Sequence, residues 1–254
     1  PRPIPRFHLF GDHRLVIRRQ IELRSREPAD RTGISCLSDM PFCTGGPGGE
    51  AGMIPIGDEN GGRRRLPFVT VALIAANAVA FYLEILGGEP FVLNWAFVPQ
   101  RFSADPSGDS ATLFTAMFLH AGWMHLGGNM LYLWIFGDNV ENRFGHFQFL
   151  MFYLASGLAA TFSQYAVDVS SAIPNVGASG AIAGVLGAYL LMFPRAQVSV
   201  LVGPRVVAVP AYLILGTWIV MQLVAGYGAI ADTMQTEEAE QGGIAYAAHV
   251  GGFA

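Results

Sequence analysis

The chain has 254 residues, 52% of them hydrophobic and 13% charged, with a net charge of −4. An ordinary soluble domain is nearer a quarter charged, so the deficit points to a membrane protein, and the slightly negative balance excludes a basic nucleic-acid footprint. Every basic residue is arginine, which we read as codon bias rather than function.

Residues 1–52 differ from everything that follows. They hold more than half of the arginines and are rich in Pro and Gly. No apolar run there is long enough to span a bilayer, and no signal-peptide pattern is present. The expectation is a disordered cytoplasmic tail over 1–62, with 1–52 open to being non-native upstream sequence and translation starting at Met53. Cys36 and Cys43 fit neither a zinc site nor a disulfide scaffold and are read as free thiols.

From Leu66 onward, apolar segments recur at hairpin spacing. A spanning helix needs about 20 mostly apolar residues. Five segments fall at 66–86, 113–137, 147–167, 179–193 and 206–226, the fourth being short. A sixth begins near Gly242 and stops at Ala254, so the chain is expected to end inside its last helix. Arg63, Arg64 and Arg65 precede the first segment, Arg143 follows the second, and Arg195 and Arg205 follow the fourth. The alternate loops carry Glu89, Asp105, Asp109, Asp168, Asp232, Glu237, Glu238 and Glu240 against Arg101 alone. The positive-inside rule therefore predicts six spans with both ends cytoplasmic.

Polar side chains inside a membrane are costly and mark function. Here they collect at one depth, in the outer half. His120, His125 and Asn129 lie in the second segment, Ser179 opens the fourth, and His249 lies in the sixth. His125 and Asn129 are four apart and share a helix face. His120 is five before His125 and points elsewhere. Gly180 and Gly184 beside Ser179, with Gly243, Ala247, Gly251 and Gly252 around His249, allow helices to approach closely. A serine hydroxyl needs a base, which histidine supplies near neutral pH. The oxyanion then formed needs donors, available from His125, Asn129 and the backbone N–H of Ser179 at a helix N-terminus. With no intramembrane carboxylate placed to orient His249, the expectation is a dyad.

These residues together resemble the rhomboid family of intramembrane serine proteases. The resemblance rests on HAGWMHLGGN (His120 to Asn129), ENRFG (Glu141 to Gly145), GASGAIAG (Gly177 to Gly184) and AHVGG (Ala248 to Gly252), and spans about 54–254. It implies an all-α fold: a polytopic, six-helix transmembrane rhomboid-like bundle over 63–254, with a water-filled cavity open to the outer side. It implies Ser179 as nucleophile, His249 as general base, His125 and Asn129 in the oxyanion hole, and His120 and Gly177 in support. The outer loop containing FVLNWAFVPQRF would lie partly in the membrane. Glu141 and Arg143 would stabilise structure rather than react. Two positions depart from some members: Ala116 stands for a further histidine, and Ala183 for an aromatic that packs on the catalytic histidine.

The function implied is endoproteolysis of transmembrane substrate helices near the outer face of a multi-pass membrane protein, on the pattern of a bacterial cytoplasmic membrane. No cofactor and no metal are expected, because H-x-x-x-x-H is not the i, i+4 pair of a zinc protease helix. The expected partners are transmembrane protein substrates and the lipid bilayer. The alternative is a non-proteolytic rhomboid-like protein that binds membrane helices. Trp123, Trp134 and Trp218 are expected to face lipid or the interface.

Overall fold

The computed structural model describes residues 53–58, 66–233 and 246–254, all within the unit Cys36–Ala254. Strand β1 (Met53–Asp58) comes first, then helix α1 (Phe68–Trp95). A run of short helices follows: α2 (Pro99–Ala104), α3 (Pro106–Asp109), α4 (Thr112–Thr115) and a 3-10 turn at Ala116–Phe118. Then come α5 (Trp123–Phe144), α6 (His146–Val167) and α7 (Ser179–Met192). The hairpin β2 (Gln197–Val202) and β3 (Arg205–Pro210) leads into α8 (Ala211–Thr233), and α9 (Tyr246–Phe253) is last.

Each apolar segment read from the sequence holds a helix, but the boundaries differ, each for a physical reason. Helix α1 overruns its predicted end at Leu86. It breaks at Gly88, whose φ of 60° is open to glycine, with Pro90 two residues on. The second segment is not helical throughout. His120 lies before α5, in the extended stretch that follows the 3-10 turn.

The fold is mostly helical rather than all-α. The described residues include one antiparallel sheet of order β1-β2-β3. Val198 and Val200 alternate inward on β2 and are buried, the period of a half-buried strand. A two-residue Gly203-Pro204 turn joins β2 to β3, with Gly203 at a φ of 56°, the position that favours glycine in a hairpin. The valines at 206–209 thus belong to a strand, not to the start of the fifth span. A short apolar run does not by itself distinguish the two. Strand β1 falls inside the stretch 1–62 for which the sequence predicts disorder; the rest of that stretch lies outside the described residues. Its Asp58 carboxylate accepts from the Asn139 side-chain amide at 2.7 Å and the Tyr189 hydroxyl at 2.6 Å, tying β1 to α5 and α7.

Helix α7 is the axis of the bundle and touches α5, α6, α8 and α9. Around it Leu133, Phe136, Phe149, Tyr153, Val185 and Leu186 form the buried core. By contrast α1 and α8 expose large apolar side chains, among them Val79, Leu83 and Leu86 on α1 and Val220, Leu223 and Val224 on α8. An apolar exterior of this extent marks a surface that meets lipid or a partner. Among the described helices one, α1, is long and apolar enough to cross a membrane by length and hydropathy; α7 and Ala211–Val224 are shorter apolar helices.

Glu141 acts where expected, as structure. Its carboxylate accepts from the Val69 and Thr70 backbone N–H groups at 2.8 and 2.7 Å and from the Thr70 hydroxyl at 2.7 Å. It thereby caps the N-terminus of α1, where the helix dipole favours an anion. His146 Nδ1 lies 2.5 Å from Glu141 Oε1. Burial pushes the Glu141 carboxyl up, but these hydrogen bonds outweigh it and hold its titration below the usual carboxylate range. A depressed folded value means stability that is present above the unfolded value and lost as pH falls through the folded one. Glu141→Gln is therefore expected to lower stability by about 1.5–3 kcal/mol at neutral pH. Thermal melts of both proteins from neutral to acidic pH should show the gap closing as wild-type Glu141 becomes protonated.

The connection between α1 and α5 is pinned by Arg101. Its guanidinium donates to Asp109 Oδ1 at 2.7 Å and to the carbonyls of Leu93 and Ala96 at 2.5 Å each. Phe97 is fully buried against Phe102 and Tyr165, and its backbone bridges to Asn175. This connection therefore braces the loop that leads into α7.

Candidate active site

Ser179 is the first residue of α7, so its side chain sits at a helix N-terminus. The nearby Gly177 has a φ of 130°, and its N–H donates to the Ala116 carbonyl at 2.9 Å. A β-carbon there would come within 3.0 Å of His125 Cε1 and 3.6 Å of Ser179 Oγ. The glycine thus lets His125 and Ser179 flank one point of backbone, a constraint only glycine meets without strain.

The small residues close the helices on one another. A β-carbon on Gly184 would lie 2.8 Å from the Gly252 carbonyl oxygen of α9, and one on Gly187 would lie 2.5 Å from that of Phe253. At this spacing His249, in the first turn of α9, reaches Ser179: Nε2 to Oγ is 2.9 Å. The other ring nitrogen, Nδ1, lies 2.8 Å from Gln222 Oε1 on α8. The Trp218 ring lies 6.0 Å from the imidazole, centroid to centroid, tilted by 43°.

His125 and Asn129 share one face of α5. His125 Nδ1 accepts from the Ala121 N–H at 3.3 Å. Asn129 Nδ2 is buried with no hydrogen-bond partner among the described residues, which is uncommon for a buried polar group. His120 is held apart from the serine. Its backbone N–H faces both Glu84 oxygens, at 3.0 and 3.2 Å, its Nδ1 faces the Phe118 carbonyl at 3.2 Å, and its ring stacks edgewise on His125 at 5.1 Å. A cavity opens beside Ser179, lined by Met117, Gly157, Ala160, Thr161, Gln164 and Gly177 among others.

The structure thus brings together Ser179, His249, His125 and Gly177, with Asn129 one turn along, and places His120 behind His125. Three further participants, Trp218, Gln222 and Glu84, are not among the residues expected from the sequence. Trp218, expected at lipid or the interface, is 3% exposed and lies on His249. Trp123 and Trp134 are exposed. Gln222 is not the carboxylate that a triad would need, yet a Gln inside an apolar span is itself a signal. Glu84 carries the same signal in the first span, as a carboxylate within an apolar run.

A family model described as Rhomboid domain matches residues 107–254. The chain is 39% identical over 126 residues to "Rhomboid protease GluP" of Bacillus subtilis, covering 49% of this chain and 24% of that protein. It is 32% identical over 145 residues to "Rhomboid protein 1, mitochondrial" of Saccharomyces cerevisiae, covering 56% and 38%. It is 31% identical over 107 residues to "Presenilin-associated rhomboid-like protein, mitochondrial" of Bos taurus, covering 41% and 28%. The chain therefore spans between about a quarter and two-fifths of these relatives' lengths. The matched domain takes in more than half of the chain, including Ser179, His249, His125, Asn129 and Gly177, and the chain belongs to the rhomboid family.

Proposed function

We propose that this protein is an intramembrane serine endopeptidase that cuts transmembrane substrate helices near the outer membrane face. The observation that carries the reading is the 2.9 Å hydrogen bond between Ser179 Oγ and His249 Nε2, made across two helices by residues seventy apart in sequence. The exposed apolar faces of α1 and α8 support a bilayer setting. The arginine pattern supports a multi-pass protein of six spans with cytoplasmic ends, as in a bacterial cytoplasmic membrane.

In this reading His249 takes the Ser179 hydroxyl proton as Oγ attacks the scissile carbonyl carbon. The carbonyl oxygen becomes an oxyanion, received by Asn129 Nδ2, the His125 side chain and the Ser179 backbone N–H. His249 then returns the proton to the leaving amine, and water repeats the sequence on the acyl-enzyme. The steps use only these side chains, the backbone and water. A substrate helix must open before its carbonyl is reachable, so small or helix-breaking residues should flank the cut.

Reconstitution in lipid vesicles with a transmembrane substrate tests this. Wild type should cut and Ser179→Ala should not; equal behaviour of the two would leave only membrane-helix binding. Asn129→Ala should lower kcat by roughly 10²- to 10³-fold, as loss of one oxyanion donor does elsewhere, with the thermal melt unchanged.

A further inference from the structure

We infer that Gln222 is the positioning residue of His249, holding its imidazole in the tautomer that can take a proton from Ser179. This rests on the protease reading above. Gln222 sits on α8 with 8% of its surface exposed, among apolar residues, where a polar side chain needs a partner. Its partner is His249 Nδ1, at 2.8 Å from the amide oxygen. An amide oxygen only accepts, so Nδ1 must carry the hydrogen. A neutral imidazole has one N–H, which leaves the lone pair on Nε2, facing Ser179 Oγ at 2.9 Å. The other tautomer would set a lone pair against the Gln222 oxygen and a hydrogen against the serine.

Trp218 completes the hold. It lies four residues before Gln222, hence on the same face of α8, and its ring packs on the imidazole at 6.0 Å. One helix therefore meets the ring with two side chains, one hydrogen-bonded at Nδ1 and one a tilted aromatic neighbour. Gln222 carries no charge and cannot neutralise the imidazolium formed during the reaction. Its contribution is orientation: without it both tautomers are populated and part of the protein stays competent, so the expected loss is smaller than the about 10⁴-fold seen where a triad is fixed in the wrong tautomer.

The test uses Gln222→Met, which keeps the side-chain volume and removes the acceptor. Activity on a transmembrane substrate is measured in vesicles. The His249 tautomer is read by NMR of protein labelled with ¹⁵N-histidine, assigned against His249→Ala. The expected result is a kcat lower by roughly 10- to 100-fold, the scale of a misoriented catalytic group, with KM changed less than about twofold. The spectrum should show hydrogen on Nδ1 of His249 in wild type, and a mixture of tautomers in Gln222→Met. An unchanged kcat, or a wild-type His249 protonated at Nε2, overturns the inference. A wild type with the Nδ1 tautomer that cuts nothing would instead bring down the protease reading, and the positioning role with it.

Discussion

His249→Ala should lower cleavage by roughly 10⁴- to 10⁶-fold, to the same floor as Ser179→Ala, and the double variant should fall no further. The two residues act as one unit, because an unassisted serine hydroxyl does not attack and a base without its nucleophile has nothing to activate. What remains at the floor is the work of the oxyanion donors and of substrate binding. The geometry behind the expectation is direct: among the described residues, the imidazole of His249 meets the side chains of Ser179 and Gln222 in hydrogen bonds, one at each ring nitrogen. Single-turnover rates for the two single variants and the double variant check it. Additive losses would mean that Ser179 and His249 act separately.

Gly184→Val should disable the protein by a different route. A β-carbon at Gly184 would stand 2.8 Å from the Gly252 carbonyl oxygen and would also strike the Ser156 side chain of α6. A backbone carbonyl cannot turn aside as a flexible side chain can, so α9 must retreat from α7. Overpacking of this kind costs about 1–3 kcal/mol, and more where the backbone has to move. Gly252 is three residues from His249, so the retreat should also open the 2.9 Å contact with Ser179. Gly216, on α8, has nothing within 4 Å of such a β-carbon. Gly216→Ala should therefore be neutral or stabilise by up to about 1 kcal/mol. Thermal melts of both variants, with serine labelling rates alongside, separate the two cases.

The helices and the candidate site residues are legible in the sequence for the same reason. In a chain this apolar, both the long runs and the few polar interruptions stand out. Ser179, His125, Asn129 and His249 each interrupt such a run. The sheet is not legible, because QVSVLV and VVAVP read as apolar stretches and nothing local separates a strand from a span. The pairing partner of β2 on its other side is β1, far earlier in the chain, a contact no local pattern announces. Hydropathy alone assigns His120 to a helix, because it does not register the 3-10 turn that ends at Phe118. Trp218 and Gln222 escape the sequence for a tertiary reason. Their meaning depends on α8 lying against α9, and four-residue spacing says only that they share a face.

The most direct measurement is the site of reaction with a serine-directed phosphonate, mapped by mass spectrometry on the membrane-embedded protein. The account predicts one adduct, on Ser179 Oγ, absent from His249→Ala. An adduct on another serine, or one formed as fast on Ser179 without His249, would contradict it.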